Sequence, residues 1–266
     1  MSLNTLLILN IRWIIRDRIL QALAAVSLFL IMLVPAISAF SMRQTQELAV
    51  TLSLSFVSFT LLIFALSLGS TIVWRDIERR YTYTVLSLPL DRGGYVMAKF
   101  LAVALFLVVA AALVGSCSFI AIFISSFKYP SQIPVQWGMI MIAIFMDTLK
   151  YMLLAAIAIL VTTVSTSFFM PFFTSIAIFM AGSASQEVFE FATSEAGTRV
   201  SGVVRLATRV IYYIIPNFSA FNFKLQAVYP IPFDPKQISY VTLYFLVYTA
   251  LTLSAAVWIF SRRELT

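Results

Sequence analysis

Charged side chains are scarce in this sequence, and they gather in few places. The densest gathering is the stretch 74–99, WRDIERRYTYTVLSLPLDRGGYVMAK, which holds Arg75, Asp76, Glu78, Arg79, Arg80, Asp91, Arg92 and Lys99 between two long apolar runs. If those runs cross a bilayer, this loop is where the protein meets cytosolic machinery. A second gathering is Asp147 and Lys150, inside another apolar run. At i and i+3 they share a helix face and can pair. Histidine is absent and Cys117 is the only cysteine. One chain therefore builds neither a disulfide framework nor a Cys/His zinc site, and no metal is expected. Cys117 reads as a small packing residue. No GxxxxGK[ST] occurs, so nucleotide cannot be held by the P-loop mechanism. A membrane-embedded enzyme needs clustered acids, histidines or a metal. Asp147 is the only acid well inside an apolar run, so no catalytic residue is expected.

The elements that position these groups follow from composition. The 266 residues are 61% hydrophobic and 11% charged, with mean hydropathy +0.98. Soluble domains carry about 25% charged residues, so the class is all-α, polytopic membrane protein. Net charge is +7. Lys and Arg at span ends account for it through insertion and anionic lipid. No soluble basic domain exists, so no nucleic acid is expected as partner. Residues 1–18 read as an amphipathic interfacial helix, with Leu3, Leu6, Leu7, Asn10, Ile11, Ile14 and Ile15 at helical spacing and Trp13 at headgroup level. Asp17 and Arg18 argue for a break before the bilayer core. The following run, 19–40, is longer than the roughly 7–15 residues of a cleavable signal core, so it reads as a retained first span.

Six spans are expected. The second covers 48–73 and carries a mostly small face: Thr51, Ser55, Ser58, Ala65 and Gly69, with Leu62 the bulky exception. Small residues allow close helix approach in lipid. The face is a candidate dimer seam or pathway lining, with ordinary packing inside one bundle as the alternative. The third span covers 96–125, the fourth ends near 166, the fifth covers 168–184 and the sixth 238–260. Counting about 20 residues back from 166 puts Asp147 and Lys150 near the outer boundary. They are expected there as an anchoring ion pair, the alternative being a functional intramembrane pair. The segment 185–237 is the one long non-spanning region and is expected to face out, its amphipathic part lying on the outer surface or re-entering shallowly. Arg199, Arg205 and Arg209 punctuate an amphipathic stretch in it, and Pro216, Pro230, Pro232 and Pro235 keep the rest irregular. Short-loop charge puts both termini and the 74–95 loop in the cytoplasm.

The loop carries a resemblance. It resembles the first cytoplasmic loop of type-2 ABC transporter permeases, which run Glu, Gly-Thr, an apolar helix, a Leu-Pro-x-x-Arg turn and Gly-Lys. The matching residues are Glu78, Thr82, Leu86, Ser87, Pro89, Arg92 and Lys99; Tyr81 stands where glycine is common and Ala98 precedes the lysine. The wider layout is similar too, especially to the branch associated with copper-enzyme maturation, which Ile215-Pro216-Asn217-Phe218 also resembles. The residues of 76–88 suit a short helix with Ile77, Tyr81, Thr84, Val85 and Leu88 on one side and Asp76, Arg79, Arg80 and Tyr83 on the other. Pro89 stops it, and Gly93-Gly94 turns the chain into the next span.

The resemblance implies that this is a coupling helix docking on a separate ABC ATPase. Its contact residues would be Asp76, Glu78, Arg79, Tyr81, Thr82, Leu86, Pro89 and Arg92. It further implies that ATP and Mg sit on that partner and no cofactor on this chain. The working unit would hold a second permease copy and lie in the cytoplasmic (inner) membrane. Two readings of the output stay open. The permease exports or translocates a substrate, or it passes ATPase-driven motion to an extracytoplasmic protein docked at 185–237.

Overall fold

The computed structural model describes residues 3–41, 44–78, 92–128, 134–165, 167–193, 208, 210, 212–229, 231–232 and 234–262. The described residues are helical throughout, apart from short turns and connections. Helix α1, Leu3–Arg16, buries Leu6, Asn10 and Ile14 at four-residue spacing and exposes Ile8, Leu9 and Ile15. One stripe therefore faces protein and the other is left apolar and open. The break expected at Asp17 is there. Asp17 is extended, and its carboxylate accepts from the Ile19 backbone N–H at 2.9 Å, capping α2, Arg18–Met32. Pro35 lacks an N–H and crowds the preceding turn; the chain bends at Leu33 into α3, Val34–Ser38.

The bundle is built from α4 (Thr45–Thr71), α6 (Arg92–Lys128), α7 (Trp137–Val164), α8 (Phe169–Thr193) and α10 (Lys236–Arg262), with the short α5 (Trp74–Glu78) following α4. Hydroxyls in the apolar runs return to carbonyls one turn back, as Thr51, Thr60 and Thr71 do in α4. This keeps their polar atoms paired away from water. Five described stretches are long and apolar enough to cross a bilayer: Arg18–Ser38, Thr45–Asp76, Arg92–Lys128, Trp137–Val164 and Lys236–Arg262. The expected fifth span, 168–184, lies in α8, whose last turns carry Gln186, Glu187 and Glu190. That polar end sets α8 apart from the five. Helix α7 is central, with 83% of its most apolar window buried against 17% for the first span.

Part of the long segment between the last two expected spans packs against the bundle. Helix α8 continues to Thr193, and residues 216–228 fold back into the bundle. A short 3-10 turn, Ser219–Phe221, and helix α9, Lys224–Val228, follow each other there. Phe218, Phe221 and Phe223 are each at most 1% exposed. The cause is aromatic density: three phenylalanines within six residues gain more from burial than from a wet loop. The turn is pinned by polar bonds as well. The Phe218 N–H donates to the Gly182 carbonyl at 3.2 Å. The Asn217 N–H donates to the Tyr244 hydroxyl at 2.8 Å, and the Asn217 side-chain amide donates to Gln186 Oε1 at 2.8 Å. Arg199, Arg205 and Arg209 lie outside the described residues.

Gly182 makes this seat possible. A Cβ there would collide with the Pro216 carbonyl oxygen and lie 2.8 Å from the Phe218 ring. Gly182→Ala is therefore expected to cost about 1–3 kcal/mol and to speed amide exchange through 216–228. Gly138→Ala, with nothing within 4 Å of the new methyl, is the control. Equal exchange in the two variants would show that the seat tolerates displacement.

Candidate functional site

The charged stretch enters and leaves the bundle through one compact knot. The Asp76 carboxylate, at Oδ2, accepts from Lys99 Nζ at 2.6 Å and from the Tyr95 hydroxyl at 2.8 Å. Lys99 also donates to Asn10 Oδ1 of α1 at 2.8 Å. Tyr95 and Lys99 are one turn apart on α6, and Arg92 is three residues before Tyr95, so all three lie on one face. Arg92 donates to the Ser261 carbonyl at 2.8 Å and the Phe260 carbonyl at 3.4 Å. These are orphan acceptors at the end of α10. The Tyr95 ring stacks on Phe260 at 5.5 Å. Beside the knot, Arg75 pairs with Asp17 at 3.3 Å and lies 4.2 Å over the Trp13 ring.

Lys99 is 4% exposed. An ammonium so placed is tolerable because a carboxylate and an amide oxygen both face it. The knot thus joins α1, α5, α6 and α10 at the point where residues 79–91 begin and end.

The expected contact residues divide. Glu78 is exposed at the end of α5. Asp76 faces inward to Lys99 and Tyr95, and Arg92 is spent on α10. Arg79, Tyr81, Thr82, Leu86 and Pro89 lie outside the described residues.

The small face of α4 divides too. Thr51 and Ser55 are exposed. Ser58, Ala65 and Gly69 face α7 within the same chain. Ser58 donates to Asp147 Oδ2 at 2.6 Å. A Cβ on Gly69 would stand 2.6 Å from the Ala158 methyl, and the Thr162 hydroxyl donates to the Gly69 carbonyl at 3.2 Å. Three of its five small residues are therefore ordinary packing inside one bundle.

Asp147 and Lys150 do pair, as their spacing predicts. Both are buried within the bundle. Asp147 is 1% and Lys150 7% exposed, about 15 Å along α7 from its start at 1.5 Å per residue. Ser58 and the Tyr151 hydroxyl, 3.0 Å apart, close one side. Lys224 of α9 closes another, with Nζ 3.9 Å from Asp147 Oδ2. An anchor keeps its charges among headgroups; this pair is enclosed by α4, α7 and the returning segment.

Residues 13–224 match the model of a family described as ABC-2 family transporter protein. The chain belongs to this family. Among curated proteins, no sequence matches it. The chain is thus a multi-pass transmembrane permease component of an ABC transporter, a transport subunit rather than an enzyme. The family implies an ABC ATPase as partner.

Sequence reasoning about this ABC-2 permease missed Tyr95 and Asn10 as members of the knot, Asp17 beside it, and Lys224 beside the Asp147–Lys150 pair. Asn10 had a signal: it was the one polar residue on the apolar stripe of α1. A lone amide on a buried stripe needs a partner, and Lys99 supplies it. Lys224 had none, because nothing local marks a lysine in a proline-rich segment as the neighbour of a distant ion pair.

Proposed function

We propose that this permease works with a separate ABC ATPase, which holds ATP and Mg, to move a substrate across the cytoplasmic membrane. The observation that carries the reading is the knot. Asp76 on the incoming side of 79–91 is bonded to Tyr95 and Lys99 on the outgoing side. Asn10 ties the same lysine to α1, and Arg92 ties the exit to α10. A displacement of the loop is therefore passed to several helices at once. Differential affinity of an ATPase for two arrangements of that base supplies the driving force.

The geometry also supports a sixth crossing. Trp74 follows α4, and its ring lies 5.8 Å from Phe168 at the start of α8. Helix α10 ends at the same knot. For α10 to return there, the chain must first leave, and α8 is the helix that leaves. Six crossings put both termini on one side, and the Arg-rich N-terminus, loop and C-terminus put that side in the cytoplasm. Two permease copies with two ATPases, related by a two-fold axis, form the working unit, with exposed Thr51 and Ser55 available to the seam.

Glu78 tests the docking role. It is exposed at the last described position before the loop and makes none of the knot's bonds. Glu78→Ala is expected to lower ATPase co-purification several-fold while leaving membrane insertion intact. Glu264→Ala, near the C-terminus, is the control. The same purification gives the stoichiometry, expected as two to two. If both variants retain the ATPase equally, the loop is not the docking element.

A further inference from the structure

We propose that Lys224 is the anchor of an anion site inside the bundle, taking a phosphate or carboxylate group. The site goes beyond the coupling role and does not depend on it. Two ammonium groups, Lys150 and Lys224, share one carboxylate, Asp147. Each oxygen of that carboxylate already holds a closer donor. Oδ1 takes Lys150, and Oδ2 takes the Ser58 hydroxyl at 2.6 Å. Lys224 stands 3.9 Å from Oδ2, beyond hydrogen-bond reach, and its ammonium has no hydrogen bond among the described residues.

The cluster therefore carries one positive charge more than its neighbours neutralise. That excess charge attracts an anion. The open side of the cluster is the lysine's side. The Lys224 side chain is 27% exposed against 2% for Asp147, so a ligand can reach the ammonium without displacing the pair. Burial holds the Lys224 pKa below the ordinary lysine value, against the pull of Asp147 and with the push of Lys150.

The backbone around Lys224 is suited to holding it there. Helix α9 is one turn long, preceded by buried Phe221 and Phe223 and containing buried Ala227. The Lys224 N–H donates to Asn222 Oδ1 at 3.4 Å. The lysine is thus delivered to the cluster by a segment whose aromatic residues fix it.

The chain has five lysines, few enough to resolve singly. The full chain, in phosphatidylcholine nanodiscs, would be reductively methylated with 13C and observed by NMR. Lys224→Arg keeps the charge and assigns the resonance by removing it. Two titrants separate the sources: inorganic phosphate, and phosphatidylglycerol at increasing mole fraction. Movement of the Lys224 resonance with phosphate supports a free-anion site; movement with phosphatidylglycerol alone supports a lipid headgroup. Native mass spectrometry should show Lys224→Gln retaining the anion about tenfold more weakly, the scale of one lost charge-assisted bond. Lys224→Arg should bind like the wild type, and Lys128→Gln should too. A resonance that ignores both titrants overturns the proposal. So does one that moves only with protein concentration, because the counter-charge would then be a carboxylate of a second copy. If Lys224→Gln does not fold, the wild-type titrations decide alone.

Discussion

Asp76→Ala is expected to disconnect the loop from the bundle. It leaves the Lys99 ammonium, 4% exposed, with only the Asn10 amide oxygen at hydrogen-bond distance. It also leaves the Tyr95 hydroxyl without its carboxylate. Removing one partner of a buried pair costs about 3–5 kcal/mol. The 22% exposure of the Asp76 side chain lets water reach the gap and places the effect at the low end. Permease-stimulated ATPase activity should fall at least about tenfold, since 1.4 kcal/mol already corresponds to that factor. The thermal midpoint in detergent should fall with it. Asp76→Asn combined with Lys99→Met removes the uncompensated charge and should recover stability without recovering coupling. A double-mutant cycle reads the pairwise term directly. If the single and double variants melt alike, the pair contributes nothing to the knot.

Much of this arrangement was legible because it is local. Apolar run length marked the spans, the Asp17 break separated α1 from α2, and i,i+3 spacing paired Asp147 with Lys150. What was not legible joins elements far apart in the chain. Lys99 and Asn10 are 89 residues apart, as are Ser58 and Asp147. No periodicity within one helix reports which face of another it meets. Gly69 illustrates the limit. A glycine on a small face announces close approach but not to whom, and its partner proved to be α7 of the same chain. The segment 216–228 shows a different failure. Pro216 marks irregular chain, and the backbone there is non-helical. Irregular backbone can still be buried when its polar groups are bonded, as Asn217 and Ser219 are. The phenylalanines carried the signal for depth.

That depth governs Asp147. Had the pair anchored α7 at the headgroups, Asp147→Ala would be close to neutral, because exposed pairs contribute about 0–1 kcal/mol. Enclosed as it is, Asp147→Ala leaves two ammonium groups facing each other and the Ser58 hydroxyl without an acceptor. A loss of about 3–5 kcal/mol is expected, read as a lowered melting midpoint and faster amide exchange in both α7 and 216–228. Asp147→Asn should be milder, since an amide oxygen still accepts from Ser58. Ser58→Ala alone removes one hydrogen bond and should cost about 1–3 kcal/mol by leaving Oδ2 undersatisfied. Adding Lys150→Met to Asp147→Ala should restore most of the loss. Lys150 is the close partner, whereas Lys224 at 3.9 Å has slack to turn toward its open side. If Asp147→Ala proves neutral, residues 216–228 do not cover the pair, and the interior cluster is not a feature of the folded permease.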